Sequence, residues 1–234
     1  MLQDYQALQR ATINQAYEML NVRFDQYDRL VGMIRSDETV MESLRRKESG
    51  TEDVYLDNRA IRDRIVYYLL TSSAGVDVHD IACYPISAEA STDGAVIFSL
   101  PEQDVAEWNR RGVISDTALR YFRSSSRDAS GGVLRTVSTL RSTFTMGAPV
   151  ELLGYLRIDF RLSSVNNRIA TLNAIPGQHI YVVNAENVVL YTSDEHSPDV
   201  LSFVSELPVL KTAPLRFHQI TVSGQESIVA IRSL

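Results

Sequence analysis

The stretch from Asp4 to Ile34 limits most strongly what this chain can become. Apolar side chains recur there as Ile13, Ala16, Leu20, Phe24, Tyr27, Val31 and Ile34, in steps of three and four. Those steps are the seam of one amphipathic helix. Neither Gly nor Pro interrupts it before Gly32. At 1.5 Å per residue it makes a rod of roughly 45 Å, about eight turns. Such a rod exceeds one small domain and suits the bracing of two stacked domains. Its seam also offers a surface for a second copy, giving a parallel homodimer. The run starts with the chain itself, where a membrane span would join it.

With 234 residues there is room for one large or two small domains. Hydrophobic residues at 44% and charged residues at 22% predict a real core. A net charge of −6 excludes nucleic acid as the expected partner, because phosphate binding needs a basic face. Arg45-Arg46-Lys47 is the main basic cluster, and acidic neighbours make it a solvated helix face. Cys83 is the only cysteine, so no intrachain disulfide forms. Its setting, Ile81-Ala82-Cys83-Tyr84, reads as a buried strand, with the thiol a small core group. The histidines, His79, His179, His196 and His218, show no metal-ligand spacing. Acyl-transfer, phosphate-loop and zinc-protease motifs do not occur, so neither a cofactor nor catalysis is expected of this chain. No apolar run of about 18 residues is present. The chain closes on Ile228 to Leu234 in a strand-like pattern, which suggests a segment with neighbours at both ends.

After the long helix, Ser36 and Asp37 offer an N-cap for a helix over about 38–47. A third helix is expected from about Val54 to Thr71, with Ile61, Ile65, Tyr68 and Leu69 on one face and Gly75 closing it. The period then shortens. Val78 to Ile86 and Ala95 to Leu100 read as strands. Pro101 to Gly112 reads as irregular, and Ser115 to Phe122 as a short helix. Val133 to Phe144 and Val150 to Leu162 read as long strands. A helix over about 165–173 follows, then a hairpin over 179–192, a helix from Pro198 to about Leu207, and a second hairpin over 215–231. The expected class is α+β: the N-terminal helix bracing two tandem modules, each an antiparallel sheet with flanking helices.

Leu152-Leu-Gly-Tyr-Leu-Arg-Ile-Asp-Phe-Arg-Leu162, then a short helix, then the Ile180 to Ser193 pattern, resembles the membrane-proximal half of double Cache domains. The Asp37-Glu38-Thr39-Val40 region and Val133 to Arg141 fit the same family. These are extracytoplasmic sensor domains of bacterial receptors, and the closest look is to two-component sensor histidine kinases. The resemblance implies two PAS-like modules: residues 1–35 as spine, 36–149 as the membrane-distal module and 150–234 as the membrane-proximal one. It implies a segment outside the plasma membrane, flanked by transmembrane helices. The implied partners are a small-molecule ligand, sugar-related among others, or a solute-binding protein. The family's amino-acid-binding pattern needs a Trp-Tyr pair, and here Trp108 is followed by Asn109-Arg110-Arg111.

Several residues are candidates for the ligand site. Trp108 with Arg110 and Arg111 would lid a pocket, or the tryptophan would pin its loop to the core. Arg135 would point from its strand into a cavity, or form an internal ion pair. Tyr84 and Ser99 would line the same cavity, and Tyr121 would close it from a short helix. The leading expectation is a sensing domain without enzymatic activity whose full-length protein is a kinase. The alternatives are a cytoplasmic PAS-like regulatory or enzymatic domain and a ligand-free spacer.

Overall fold

The computed structural model describes residues 2–48, 54–86, 96–100, 102–110, 114, 121–124, 132–142, 150–170, 181–183, 189–192, 216–222 and 225–231. In order these form α1 (Leu2–Arg35), α2 (Glu38–Glu48), α3 (Val54–Thr71), a 3-10 turn (Gly75–Asp77), β1 (Val78–Pro85), α4 (Glu102–Arg110), β2 (Tyr121–Ser124), β3 (Val133–Arg141), β4 (Leu152–Arg161), α5 (Leu162–Ala170), β5 (Tyr181–Val183), β6 (Val189–Thr192), β7 (Arg216–Val222) and β8 (Gln225–Ile231). The class is α+β. The chain divides into two compact units, Asp25–Arg161 and Met1–Phe24 with Leu162–Leu234.

The Asp25–Arg161 unit holds a four-stranded antiparallel sheet in the order β1-β4-β3-β2. A sheet of this kind with helices agrees, at that coarse level, with the PAS-like expectation. β4 lies between β1 and β3 and completes this sheet. Cys83 on β1 also exchanges backbone hydrogen bonds with the Ile97 segment, at 2.7 Å to Val96 O and 3.0 Å from Phe98 N. That segment makes one isolated parallel bridge rather than the strand expected over 95–100. Gly154 on β4 lets β1 come close. A Cβ there would meet Tyr84 O at 2.6 Å.

Strand side chains alternate between faces. One face, here the helix face, carries Ile81, Cys83, Leu134, Leu140, Leu156, Ile158 and Phe160, all buried. The last turns of α1 lie against it, with the Tyr27 ring stacked on Phe160 at 3.8 Å. Leu30, Val31 and Ile34 are buried along the same helix. The Tyr27 hydroxyl donates to Asp77 Oδ2 at 2.7 Å. At the corner after α1, Asp37 rather than Ser36 caps α2: Val40 N–H donates to Asp37 Oδ1 at 2.9 Å. The other carboxylate oxygen accepts from Arg64 Nε, Arg64 Nη2 and Tyr68 Oη at 2.8, 2.6 and 2.7 Å. Arg46 of α2 pairs with Asp57 of α3 at 2.8 Å. The cap residue of α2 and Arg46 within it thus each reach α3.

In the other unit the described elements are the first part of α1, α5 and two hairpins, β5–β6 and β7–β8. Among the described residues no sheet joins the hairpins. The expected helix from Pro198 lies outside the described residues, and α5 begins three residues earlier than expected.

Candidate functional site

The opposite face of the sheet is built differently. β1 supplies Asp80, Ala82 and Tyr84. β4 supplies Tyr155, Arg157 and Asp159. β3 supplies Arg135 and Val137, and β2 supplies Phe122. The register sets them side by side: Tyr84 opposite Tyr155, Ala82 and Val137 opposite Arg157, and Arg135 opposite both Asp159 and Phe122. Directly opposed residues on one face are the contacting pairs of a sheet.

Half of this face is aromatic. Trp108 of α4 lies over it, 5.8 Å from the Tyr84 ring and 6.2 Å from Tyr155, in tilted geometry. Phe98, Leu100, Val105, Ile114, Phe122 and Leu152 pack around them. The polar sequence of 101–112 predicts an irregular stretch, but Glu102–Arg110 is a helix. Val105 and Trp108, three apart, turn its one apolar face onto the sheet.

The other half is charged. Arg135 donates from Nε and Nη2 to the two oxygens of Asp159 at 2.6 and 2.7 Å, a bidentate pair. Arg157 donates from Nη2 to Asp80 Oδ2. Its guanidinium also lies 5.9 Å from the centre of the Tyr84 ring, within cation–π range. The Arg157 Nε is buried without a hydrogen-bond partner among the described residues. It stands 3.8 Å from Asp159 Oδ2. The Asp159 side chain is only 3% exposed and that of Arg157 15%. Burial raises the Tyr84 hydroxyl above its ordinary pKa, against the opposing pull of Arg157 and Arg135. For Arg135 burial works against the charge, but the hydrogen bonds to Asp159 outweigh it and the pKa rises.

The structure thus brings together three of the expected residues, Tyr84, Trp108 and Arg135. Trp108 is 3% exposed, which fits its packing role. Arg135 forms the internal ion pair rather than pointing alone into a cavity. Ser99 is exposed and follows Phe98, which is packed inward. Arg111 lies outside the described residues. Tyr121 is corrected on two points: it sits on β2 rather than a helix, and it faces the helix side. Its ring lies 6.4 Å from Phe160, and its hydroxyl donates to Asp28 Oδ1 at 2.6 Å. Burial, then Asp28, pushes the Tyr121 hydroxyl far up. Phe122, one residue on, occupies the face Tyr121 was expected to reach.

Asp80, Tyr155, Arg157 and Asp159 were missed. One signal was available: Tyr155, Arg157 and Asp159 alternate through an otherwise apolar strand, which marks one polar face. The arrangement offers guanidinium donors beside aromatic rings, suited to holding a carboxylate or hydroxyl group. Among the described residues, no three His, Cys, Asp or Glu side chains cluster as metal ligands. None of the described helices is long and apolar enough to cross a membrane.

No protein-family profile matches the chain, and no curated protein matches its sequence. Among solved structures, it is similar to the crystal structure of the periplasmic domain of Vibrio cholerae LuxQ. The identity is 13% and the TM-score 0.37, over 94% of this chain and 100% of the other. A likeness at that score is broad and assigns nothing to this chain.

Proposed function

We propose that this chain is the extracytoplasmic signal-sensing domain of a membrane receptor of the double Cache type, whose remainder carries flanking transmembrane helices and a histidine kinase. The receptor would take a small molecule or a ligand-loaded solute-binding protein as its signal. One observation carries the reading. The face under α4 holds the chain Asp80–Arg157–Asp159–Arg135, half-exposed at Asp80 and buried at Asp159, beside Tyr84, Trp108 and Tyr155. A core that serves stability alone gains little from such charges, because buried ion pairs about break even with apolar replacements. Polar groups converging beside aromatic surface are what a small-ligand site requires.

The test is a thermal-shift screen of the 234-residue chain against sugars, oligosaccharides, organic acids and amino acids. Ligand at a hundred times its dissociation constant adds roughly 2.7 kcal/mol to stability. A saturable shift with one class, lost in Arg157→Ala while that variant still unfolds cooperatively, is the expected result. A flat response to the whole panel would remove direct small-molecule sensing and leave the protein-borne signal. A second reading, the ligand-free spacer, is favoured by the packing of Trp108 at 3% exposure and the full engagement of Arg135 by Asp159. It predicts that flat response, and no binding of a solute-binding protein either.

A further inference from the structure

A surface helix ordinarily turns its charged face to water. α3 does so only in part. Tyr55, Leu56, Val66, Tyr67 and Leu70 are all exposed, Leu70 to 82%. At 3.6 residues per turn they share one arc of about 140° with Arg59, Arg62 and Asp63. Ile61 and Ile65, on the far side, are buried. Exposed apolar side chains at both ends of one arc, with charges between them, mark an interaction surface.

Its charges say which partner fits. Arg59 and Asp63 sit at the middle of the stripe, 3.6 Å apart and both more than half exposed. Apolar residues lie on either side: Tyr55 and Leu56 before, Val66, Tyr67 and Leu70 after. The stripe is therefore close to its own mirror about Ile61. Two copies running antiparallel about that point set Arg59 against the partner's Asp63, and Asp63 against the partner's Arg59. Leu56 then meets the partner's Val66, and Tyr55 the partner's Tyr67. A parallel pairing does the reverse, because it sets Arg59 against the partner's Arg59 and Asp63 against the partner's Asp63. Twofold interfaces need a self-complementary patch, and the antiparallel arrangement supplies one.

We propose that the exposed face of α3 is a homodimer interface, antiparallel about Ile61, closed by reciprocal Arg59–Asp63 pairs between copies. It differs from pairing along α1 and does not depend on the sensor reading.

Sedimentation velocity from low micromolar to millimolar loading tests this. The wild-type chain is expected to dimerise with concentration. Arg59→Asp and Asp63→Arg should each weaken the dimer at least about tenfold, since both set like charges opposite each other. An equimolar mixture of the two variants should dimerise again, because each Asp then meets an Arg. Loss of the pair within one helix cannot account for that rescue. Circular dichroism of each variant checks that α3 is intact. For geometry, Leu56→Cys mixed with Val66→Cys should cross-link, and either variant alone should not. Cys83 is buried and stays outside this reaction. A wild-type chain that remains monomeric would overturn the proposal and return the stripe to a different partner protein. A dimer indifferent to both charge reversals would overturn it equally, as would cross-linking of Leu56→Cys alone.

Discussion

Asp37, at the corner between α1 and α2, and Asp159, in the middle of the sheet, are both buried carboxylates gripped by two nitrogens of one arginine. Their surroundings differ. Asp37 also caps α2 through Val40 N–H and accepts from the Tyr68 hydroxyl. Its arginine, Arg64, is 41% exposed and keeps part of its hydration. Asp159 faces Arg135 and, at 3.8 Å, a second buried guanidinium on Arg157. The first arrangement shows what a buried pair looks like when it closes a turn: every donor has a local structural reason. The second has more guanidinium than the backbone around it requires, and it lies beside aromatic rings rather than at a helix end. The comparison sets a pair that closes a turn beside one in the middle of a sheet, and stability measurements can tell whether both are architectural.

The largest expected effect comes from leaving the sheet's arginines without their shared partner. Asp159→Ala strands Arg135 and brings Arg157 closer to the same state, both desolvated. Breaking a buried pair by removing one partner costs about 3–5 kcal/mol. Urea denaturation should read a loss in that range. A loss below about 1 kcal/mol would mean that water already solvates this layer, and the contrast with Asp37 would collapse.

Asp37→Asn sharpens the comparison from the other side. Asn caps a helix about as well as Asp, so the substitution removes charge and spares the cap. A loss of about 1–2 kcal/mol at neutral pH is expected, from weaker hydrogen bonds to Arg64 and Tyr68. The pH dependence follows from direction. Burial pushes the Asp37 carboxyl up, but the hydrogen bonds from Arg64, Tyr68 and Val40 outweigh it and hold the pKa below the ordinary carboxylate value. A depressed folded-state pKa contributes stability that is complete above the unfolded value, about 3.9. That stability is lost as pH falls through the folded value. The gap between wild type and Asp37→Asn should therefore be constant from neutral pH down to about 5 and close below about pH 4. A gap unchanged at low pH would show that Asp37 acts by shape alone.

The corner pair was half legible in the sequence and the sheet pair was not, for reasons of distance along the chain. Capping is local: an Asp just before an amphipathic run is enough to place it, and Asp37 stands there. The strands β1, β3 and β4 were also legible, because a change of period from three-or-four to two is a local signal. Which face each residue takes, and what it meets, depends on register between segments far apart. Arg135 meets Asp159 only because β3 and β4 pair at that register. A slip of one residue would carry every side chain to the other face. Tyr121 shows the cost. Its position opposite Thr136 sends it to the helix side, and nothing local to Tyr121 announces that. α4 was missed because a helix of two and a half turns with Val105 and Trp108 as its inward pair leaves a mostly polar sequence.

The smallest stability effect is expected from the most drastic change to the sheet pair. Replacing both partners at once, Arg135→Met with Asp159→Leu, removes the charges together and fills their space with apolar atoms. Such exchanges are often neutral or stabilising. The double variant should fall within about 1 kcal/mol of wild type, well short of the loss for Asp159→Ala. Arg157 keeps Asp80 as its partner in that background. The matching change at the corner, Arg64→Met with Asp37→Leu, should stay destabilised by about 1 kcal/mol or more, because Val40 N–H loses its cap. Denaturation of the four proteins side by side decides the matter. If the sheet double variant is as damaged as Asp159→Ala, the layer is architectural like the corner, and the ligand reading loses its carrying observation. If the sheet recovers and the corner does not, stability does not require the Arg135–Asp159 charges. A ligand response that disappears with the recovered double variant would then give those charges their function.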